Sequence, residues 1–520
     1  MPVLRVLVLV LVLAALPTTA SAAPLVLVDP DGRNAVTVED PALPPDNTAV
    51  PANPAATRPP AIARAAAGRS VPATIASLRK RGQLDAATAA QYRKDWSSSV
   101  GVAAGLSGTA RSEMQAVLAN ARMFAADKVL TASRLPAVML TVTRNRSWWA
   151  GGSSLSSGNR VRFRDSEIIW QYYAGQGIQI QWLGTFGRAN ALWSYKGKDD
   201  ELSALLAEAR SLAANRAGGI AFEYLFFFDG GRPPWVSGLA QGTGLSAFSR
   251  GAARLKDPAL FEDAHDALGI FRTAPPRGVR LKSPPGVHYL QYSYARDQQI
   301  GNGFVQSLNG LHDLALFGND DDAWKLLTEG ERHLRSELGS FDTGAWSRYE
   351  HAGSRPGPES TLDYHKLFGQ FLHGFCDRLT KDRELAGAKA AQAAAGDEPS
   401  PSTDAKGRSP LAGKIDPQRY CSAADRFDSY LTTAPRVSAR GKALRAKARG
   451  TVKVWLNKIA NVTITVSQNG RQLASRGGLF GRGSYDVAVK PRSGGKLTVT
   501  VVATDLAGNR KQQTTALTVR

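Results

Sequence analysis

The sequence predicts a mainly α chain: an α/α toroid, or helical barrel, followed by a C-terminal β-sandwich of immunoglobulin-like type. Three observations predict it. Across residues 71–430, apolar residues recur at helical spacing with few breakers. The helical segments run in pairs without parallel strands between them, and no repeat of about 34 or 40 residues marks a solenoid. From Arg436 onward the apolar period changes to two.

The elements follow in order. Arg5 precedes an apolar run over residues 6–16, then Pro17 and the small residues Ala20-Ser21-Ala22. This predicts a signal peptide over 1–22, cleaved before Ala23, and so a secreted or cell-envelope protein. The run is shorter than the ~20 residues of a membrane span; an uncleaved anchor is the alternative. Residues 23–70 are rich in Pro and Ala and read as a linker. Helices are expected over 74–96, 110–132, 190–214, 239–255 and 257–271, with a strand-like passage at 161–181. Three later helices carry the clearest stripes: Phe304, Leu308, Leu311 and Leu314; Trp324, Leu327, Leu334 and Leu338; Leu367, Phe371, Phe375 and Leu379. Asp320, Asp321 and Asp322 suit the start of the second, and Gly339 its stop. Residues 385–415 read as a disordered low-complexity insertion, and 420–430 as a short helix. Over 436–520, alternating runs such as VTITVSQ and KLTVTVVATD are separated by turn signals.

A chain of 520 residues has room for two or three domains. Its two cysteines, Cys376 and Cys421, form an even pair; in an exported protein they predict a disulfide across the low-complexity insertion. The net charge is +21, and residues 436–520 hold seventeen Lys/Arg against two acids. Such a module implies an anionic partner, for example a charged polysaccharide, teichoic acid or a membrane surface, although a merely solvated basic surface has the same charge. No nucleic-acid recognition motif accompanies it, so no nucleic acid is expected. No metal-ligand spacing stands out, and no cofactor is expected.

Chemistry concentrates in three tyrosines: Tyr292 in HYLQYSYARDQQIGNGF, Tyr349 in FDTGAWSRYEH and Tyr364 in LDYHKLFGQF. A phenol donates a proton, and a phenolate accepts one; phenols on both faces of a sugar ring remove a hydrogen from one face and return it to the other. A tyrosine near a helix start is also commonly a core or rim residue with its hydroxyl bonded. Removal of a hydrogen α to a carboxylate needs donors or a cation at the carboxyl oxygens. Candidate substrate-binding residues are Arg188 and Asn190 in GRANALW, Gln241 in PPWVSGLAQG, and Arg296, Arg348 and His365 beside the tyrosines. His365 also fits a turn cap, and Asp342 in FDTG fits a side-chain-stabilised turn.

The motifs PPWVSGLAQG, Tyr292 ahead of Asn302-Gly303-Phe304, SLNGLHDL, FDTGAWSRYE and LDYHKL occur in one order over 233–379. In that order they resemble the C-terminal catalytic domain of the D-glucuronyl C5-epimerases. The resemblance implies an α/α toroid bearing the active site and inversion of C5 of D-glucuronate to L-iduronate within a polysaccharide. It implies Tyr292, Tyr349 and Tyr364 as the catalytic residues. Gln291 stands where animal members carry an acid. Two other functions share the sequence features. A uronate lyase begins with the same proton abstraction and then expels the C4 oxygen. A non-catalytic, cell-envelope protein that binds acidic glycans would use the basic module alone.

Overall fold

Short capping residues and apolar stripes set the helices, and brief hairpins separate them. The computed structural model describes residues 23–44, 69–151, 154–353, 355–394, 415–441 and 444–520, without the side chains of 385–394. The expected signal peptide, residues 45–68 of the expected linker and residues 395–414 of the expected insertion lie outside the described residues.

The first part of the expected linker is instead two strands, β1 (Ala23–Val28) and β2 (Ala35–Asp40), paired antiparallel. The alternation in APLVLV gives one apolar face, and Leu25 buries with Leu43 and Ile169. Ser70 caps α1 (Val71–Lys80) and Asp85 caps α2 (Ala86–Gly105); α3 (Gly108–Ala126) and α4 (Leu135–Gly151) follow. The strand-like passage forms β3 (Arg160–Phe163), β4 (Trp170–Tyr173) and β5 (Gly177–Ile180), which complete a five-stranded sheet in the order β2-β1-β3-β4-β5.

Next come α5 (Trp182–Ser194), α6 (Asp199–Ser211), the hairpin β6 (Ala214–Arg216) with β7 (Gly219–Ala221), α7 (Gly238–Leu255), α8 (Ala259–Asp266) and α9 (Gly269–Arg272). A second hairpin, β8 (Arg280–Ser283) with β9 (Gly286–Tyr289), precedes β10 (Gln299–Ile300), α10 (Gly301–Phe317) and α11 (Asp321–Glu337). Then β11 (Glu350–Ala352) and β12 (Arg355–Pro356) join β10 in a small sheet, ahead of α12 (Leu362–Ala394) and α13 (Gln418–Tyr430). α12 continues into the expected insertion as far as Ala394, because its Ala-rich sequence favours helix.

The stripe Phe304, Leu308, Leu311 and Leu314 is buried as expected. α7 and α10 approach closely through glycines: a Cβ on Gly310 would lie 2.0 Å from the Gly242 carbonyl oxygen. The disulfide between Cys376 and Cys421 joins α12 to α13, as the cysteine count predicted.

The expected toroid is corrected. Helices α5, α7, α10 and α12 form a row in which each packs on the next, but α12 turns its flank to α13, and hairpins stand between the helices. The row does not close into a ring of helix pairs, and the chain mixes helices with several small sheets. The expected immunoglobulin-like sandwich is corrected too. The C-terminal strands are β13 (Val437–Gly441), β14 (Gly450–Leu456), β15 (Ala460–Gln468), β16 (Arg471–Phe480), β17 (Gly483–Val489), β18 (Gly495–Asp505) and β19 (Arg510–Val519). They form the sheets β13-β14-β17 and β16-β15-β18-β19 around Val452, Val454, Ile464, Val499 and Val501. However, β16 lacks apolar alternation and is mostly exposed, so no pair of fully apolar faces closes as an immunoglobulin fold requires.

This β region grips the helical part. Glu359 accepts from the backbone N–H of Arg482 at 2.7 Å and of Ile459 at 3.3 Å. Lys458 pairs with Asp505 at 2.5 Å, donates to the Tyr430 carbonyl at 3.0 Å, and lies over the Trp346 ring at 5.3 Å.

Candidate active site

Three backbone segments bring the tyrosines together. Residues 290–293 run beside the entry to α7: Ser293 N–H donates to the Val236 carbonyl at 3.0 Å, and Gly238 N–H to that of Leu290 at 3.2 Å. This fixes Gln291 and Tyr292. Gln291 lies flat on α10 because Gly303 has no side chain; a Cβ there would be 2.5 Å from Gln291 Oε1. Tyr349 is held on both sides, its N–H donating to the Pro358 carbonyl at 3.0 Å and its carbonyl accepting from Gly301 at 3.3 Å. Tyr364 occupies the first turn of α12, capped by Thr361 Oγ1 at 3.4 Å.

The side chains converge. Gln291 Nε2 lies 3.0 Å from the Tyr292 hydroxyl and 3.5 Å from that of Tyr349. The rings of Tyr349 and Tyr364 are 4.6 Å apart and tilted by 51°. Tyr292 and Tyr364, from different elements, line one cavity with Tyr173, Tyr224, Trp235 and Gln291. Trp235, Phe228 and Tyr294 ring Tyr292 at 5.8, 5.9 and 5.4 Å between centroids.

Burial pushes the Tyr292 phenol up to about 12, against the pull of hydrogen bonds from Gln291 and Tyr349. Burial, with Tyr292 and Tyr364 beside it, raises Tyr349 well above the ordinary phenol value. Tyr349 is therefore the donor of this pair, and Tyr292 is the oxygen best prepared to carry negative charge. Glu350 escaped the sequence analysis. Burial, and then Asp229, raises its carboxyl, and its Oε2 is buried without a hydrogen-bond partner. Its adjacency to Tyr349 in RYEH was the available signal.

The expected substrate-binding residues fare differently. Arg188 is buried in ion pairs with Asp40 at 3.0 Å, Glu167 at 2.5 Å and Glu201 at 3.3 Å, so it ties β2 to α5 and α6. Gln241 is buried against the backbone of Phe222, donating to its carbonyl at 2.9 Å. His365 is a core histidine: Nε2 bonds the Phe427 carbonyl at 2.9 Å, Nδ1 bonds Ser347 Oγ at 2.8 Å, and the ring stacks on Trp346 at 3.8 Å. Burial lowers it to about 4. Arg348 turns to the Gly357 carbonyl at 3.0 Å, and Arg296 is exposed. None of these five lines the tyrosine cavity, and no cation does among the described residues. Trp182 and Trp235 are buried in aromatic packing, and Asp342 caps its own turn through Gly344 N–H at 2.7 Å.

Asn190 belongs to a second cavity of about 310 Å³, which shares Leu183 with the first. α5, α7, α10 and α12 line it. Arg160, Arg250 and Arg378 are among its lining residues, and no Asp or Glu is. Asp313, buried outside the lining, pairs with Arg378 at 2.8 Å and Arg250 at 3.0 Å.

Residues 217–386 match the family described as D-glucuronyl C5-epimerase C-terminus. A D-glucuronyl C5-epimerase of Caenorhabditis elegans is 30% identical over 170 residues, a match covering 30% of this chain and 27% of that protein. The chain thus spans about a quarter of the length of this relative. Among solved structures, endo-beta-1,4-glucanase CMCax from Acetobacter xylinum is similar at 16% identity over 48% of this chain and 86% of that one; its TM-score of 0.28 carries no argument.

Proposed function

We propose, from the match of residues 217–386 to the D-glucuronyl C5-epimerase C-terminus family, that this chain is a secreted isomerase that inverts C5 of uronate residues in an anionic polysaccharide. The observation that carries this reading is the meeting of Tyr292, Tyr349 and Tyr364 around Gln291, all within the family segment.

In the proposed reaction the Tyr292 phenolate takes the C5 proton. Its two hydrogen-bond donors, Gln291 and Tyr349, favour the charged form. The electron pair left on C5 spreads into the carboxyl group, and phenolic O–H donors stabilise it. Tyr364, which lines the same cavity from α12, delivers its proton to the opposite face. Tyr292 then holds an extra proton and Tyr364 lacks one. Tyr349, hydrogen-bonded to the first and packed on the second, returns that proton and resets the site. The basic C-terminal strands suit the same polyanion or an envelope polyanion.

The test is incubation with glucuronate-containing polymers in heavy water, followed by NMR. Iduronate signals with deuterium at C5 and intact chains support the proposal. Chain cleavage with absorbance from an unsaturated uronide makes the enzyme a lyase. Neither label nor cleavage on any polymer that binds leaves a glycan-binding protein and overturns the reading.

A further inference from the structure

The strands that carry the tyrosine segments also carry histidines. His288 lies on β9, four residues before Tyr292, and His351 lies on β11, two residues after Tyr349. Both point to Glu337 at the end of α11, one turn from His333. All four side chains are more than nine-tenths buried. His288 Nδ1 is 3.0 Å from Glu337 Oε1, while His333 Nε2 and His351 Nε2 are 3.0 and 2.9 Å from Oε2. The ligating atoms of His288, His333 and Glu337 all lie within 4.8 Å of one another.

A purely hydrogen-bonded cluster accounts for part of this. His288 and His351 can each donate to the carboxylate. It does not account for His333. Both of its ring nitrogens are buried and without a hydrogen-bond partner, although Nε2 is 3.0 Å from a carboxylate oxygen. The nitrogen and the oxygen lie close but are not aligned as donor and acceptor. Groups that face a common point instead of each other take this arrangement. Ligands about 2.0–2.1 Å from a tetrahedral ion stand about 3.3 Å apart, and the His288 and His333 nitrogens each lie 3.0 Å from a Glu337 oxygen. Two imidazoles and one carboxylate, without thiol and buried, suit a borderline dication, while His351 stands outside this close group and holds the Glu337 carboxylate at 2.9 Å.

We propose that His288, His333 and Glu337 form a three-ligand site for a divalent transition metal of the zinc class, with His351 orienting the Glu337 carboxylate. The ion would tie β9 to α11, and through His351 to β11, and so fix the segments that position Gln291, Tyr292 and Tyr349. The role is structural: no ligand lines the tyrosine cavity. The expectation that no metal spacing is present missed His333 and Glu337, an i, i+4 pair on one helix face.

The test uses the full chain and does not depend on activity. Elemental analysis after growth with zinc should find about one equivalent of metal per chain. Cobalt exchanged into the site should give the visible bands of a tetrahedral ion. Chelation should lower Tm, and added zinc should restore it. H333A and the milder H351Q should each lose at least tenfold in zinc affinity. Less than about a tenth of an equivalent after dialysis against zinc, with Tm unmoved by chelator, overturns the proposal. So does full stoichiometry retained in both variants. If neither variant folds, the cobalt spectrum of the unaltered chain decides. The epimerase reading stands or falls separately, since none of these measurements involves substrate.

Discussion

The side-chain amide of Gln291 donates to the hydroxyl of Tyr292 at 3.0 Å. That bond favours the phenolate against a burial that pushes the group up to about 12. Gln291→Leu removes the donor and raises the phenol further. The ascending limb of the pH–rate profile for C5 exchange is then expected to move to higher pH. At a fixed neutral pH the rate falls about tenfold for each unit of movement. An unmoved limb would exclude Tyr292 as the base.

Tyr292→Phe, Tyr349→Phe and Tyr364→Phe each remove one oxygen and little volume. Each is expected to lower the rate of C5 deuterium exchange by roughly 10²–10⁴-fold, the range for loss of an acid or base. Binding of the polymer should persist, and Tm should shift by only a few degrees. Full exchange activity in all three would return these residues to the aromatic wall.

His365 gives a stability test with a defined sign. Its folded value, about 4, lies below the ordinary value of about 6.5. Between those two pH values the unfolded chain takes up the proton first, so stability is lost as pH falls through that window. The loss approaches about 3 kcal/mol at its lower end. His365→Gln should flatten this slope in urea titrations at pH 7 and pH 5.

The Cys376–Cys421 bridge closes a separation of 45 residues. Cys376→Ser with Cys421→Ser should cost about 2–4 kcal/mol, measured as a lower urea midpoint at nearly unchanged slope. An equal midpoint with and without reductant would show that α12 and α13 hold together by packing alone.

The helices from Phe304 to Leu379 were legible because each buries one continuous stripe. The disulfide was legible from an even count. The tyrosine cluster was legible only through the order of several short motifs, since each phenol alone looks like a core residue. Three features were not legible. The alternation of β1 is only six residues long and lies at the edge of a Pro- and Ala-rich stretch, and its partner β3 and the packing on Ile169 lie far away in sequence. The row of helices fails to close because α13, beyond a low-complexity segment, takes the flank of α12. Arg188, Gln241 and His365 looked exposed and functional by residue type, yet each meets a partner far away in sequence: Asp40, Phe222 and Phe427.

Glu359 lies ten residues after Tyr349, and its carboxylate is capped by the backbone of Ile459 and Arg482. Trp346, three residues before Tyr349, has Lys458 over one ring and His365 stacked on it. The strands at the C-terminal end therefore brace the very loop that presents a candidate proton donor. A polyelectrolyte-binding tail that could be clipped off without consequence would make no such grip. On the proposed reaction, any natural variation that loosens this junction would be felt in turnover as well as in substrate capture.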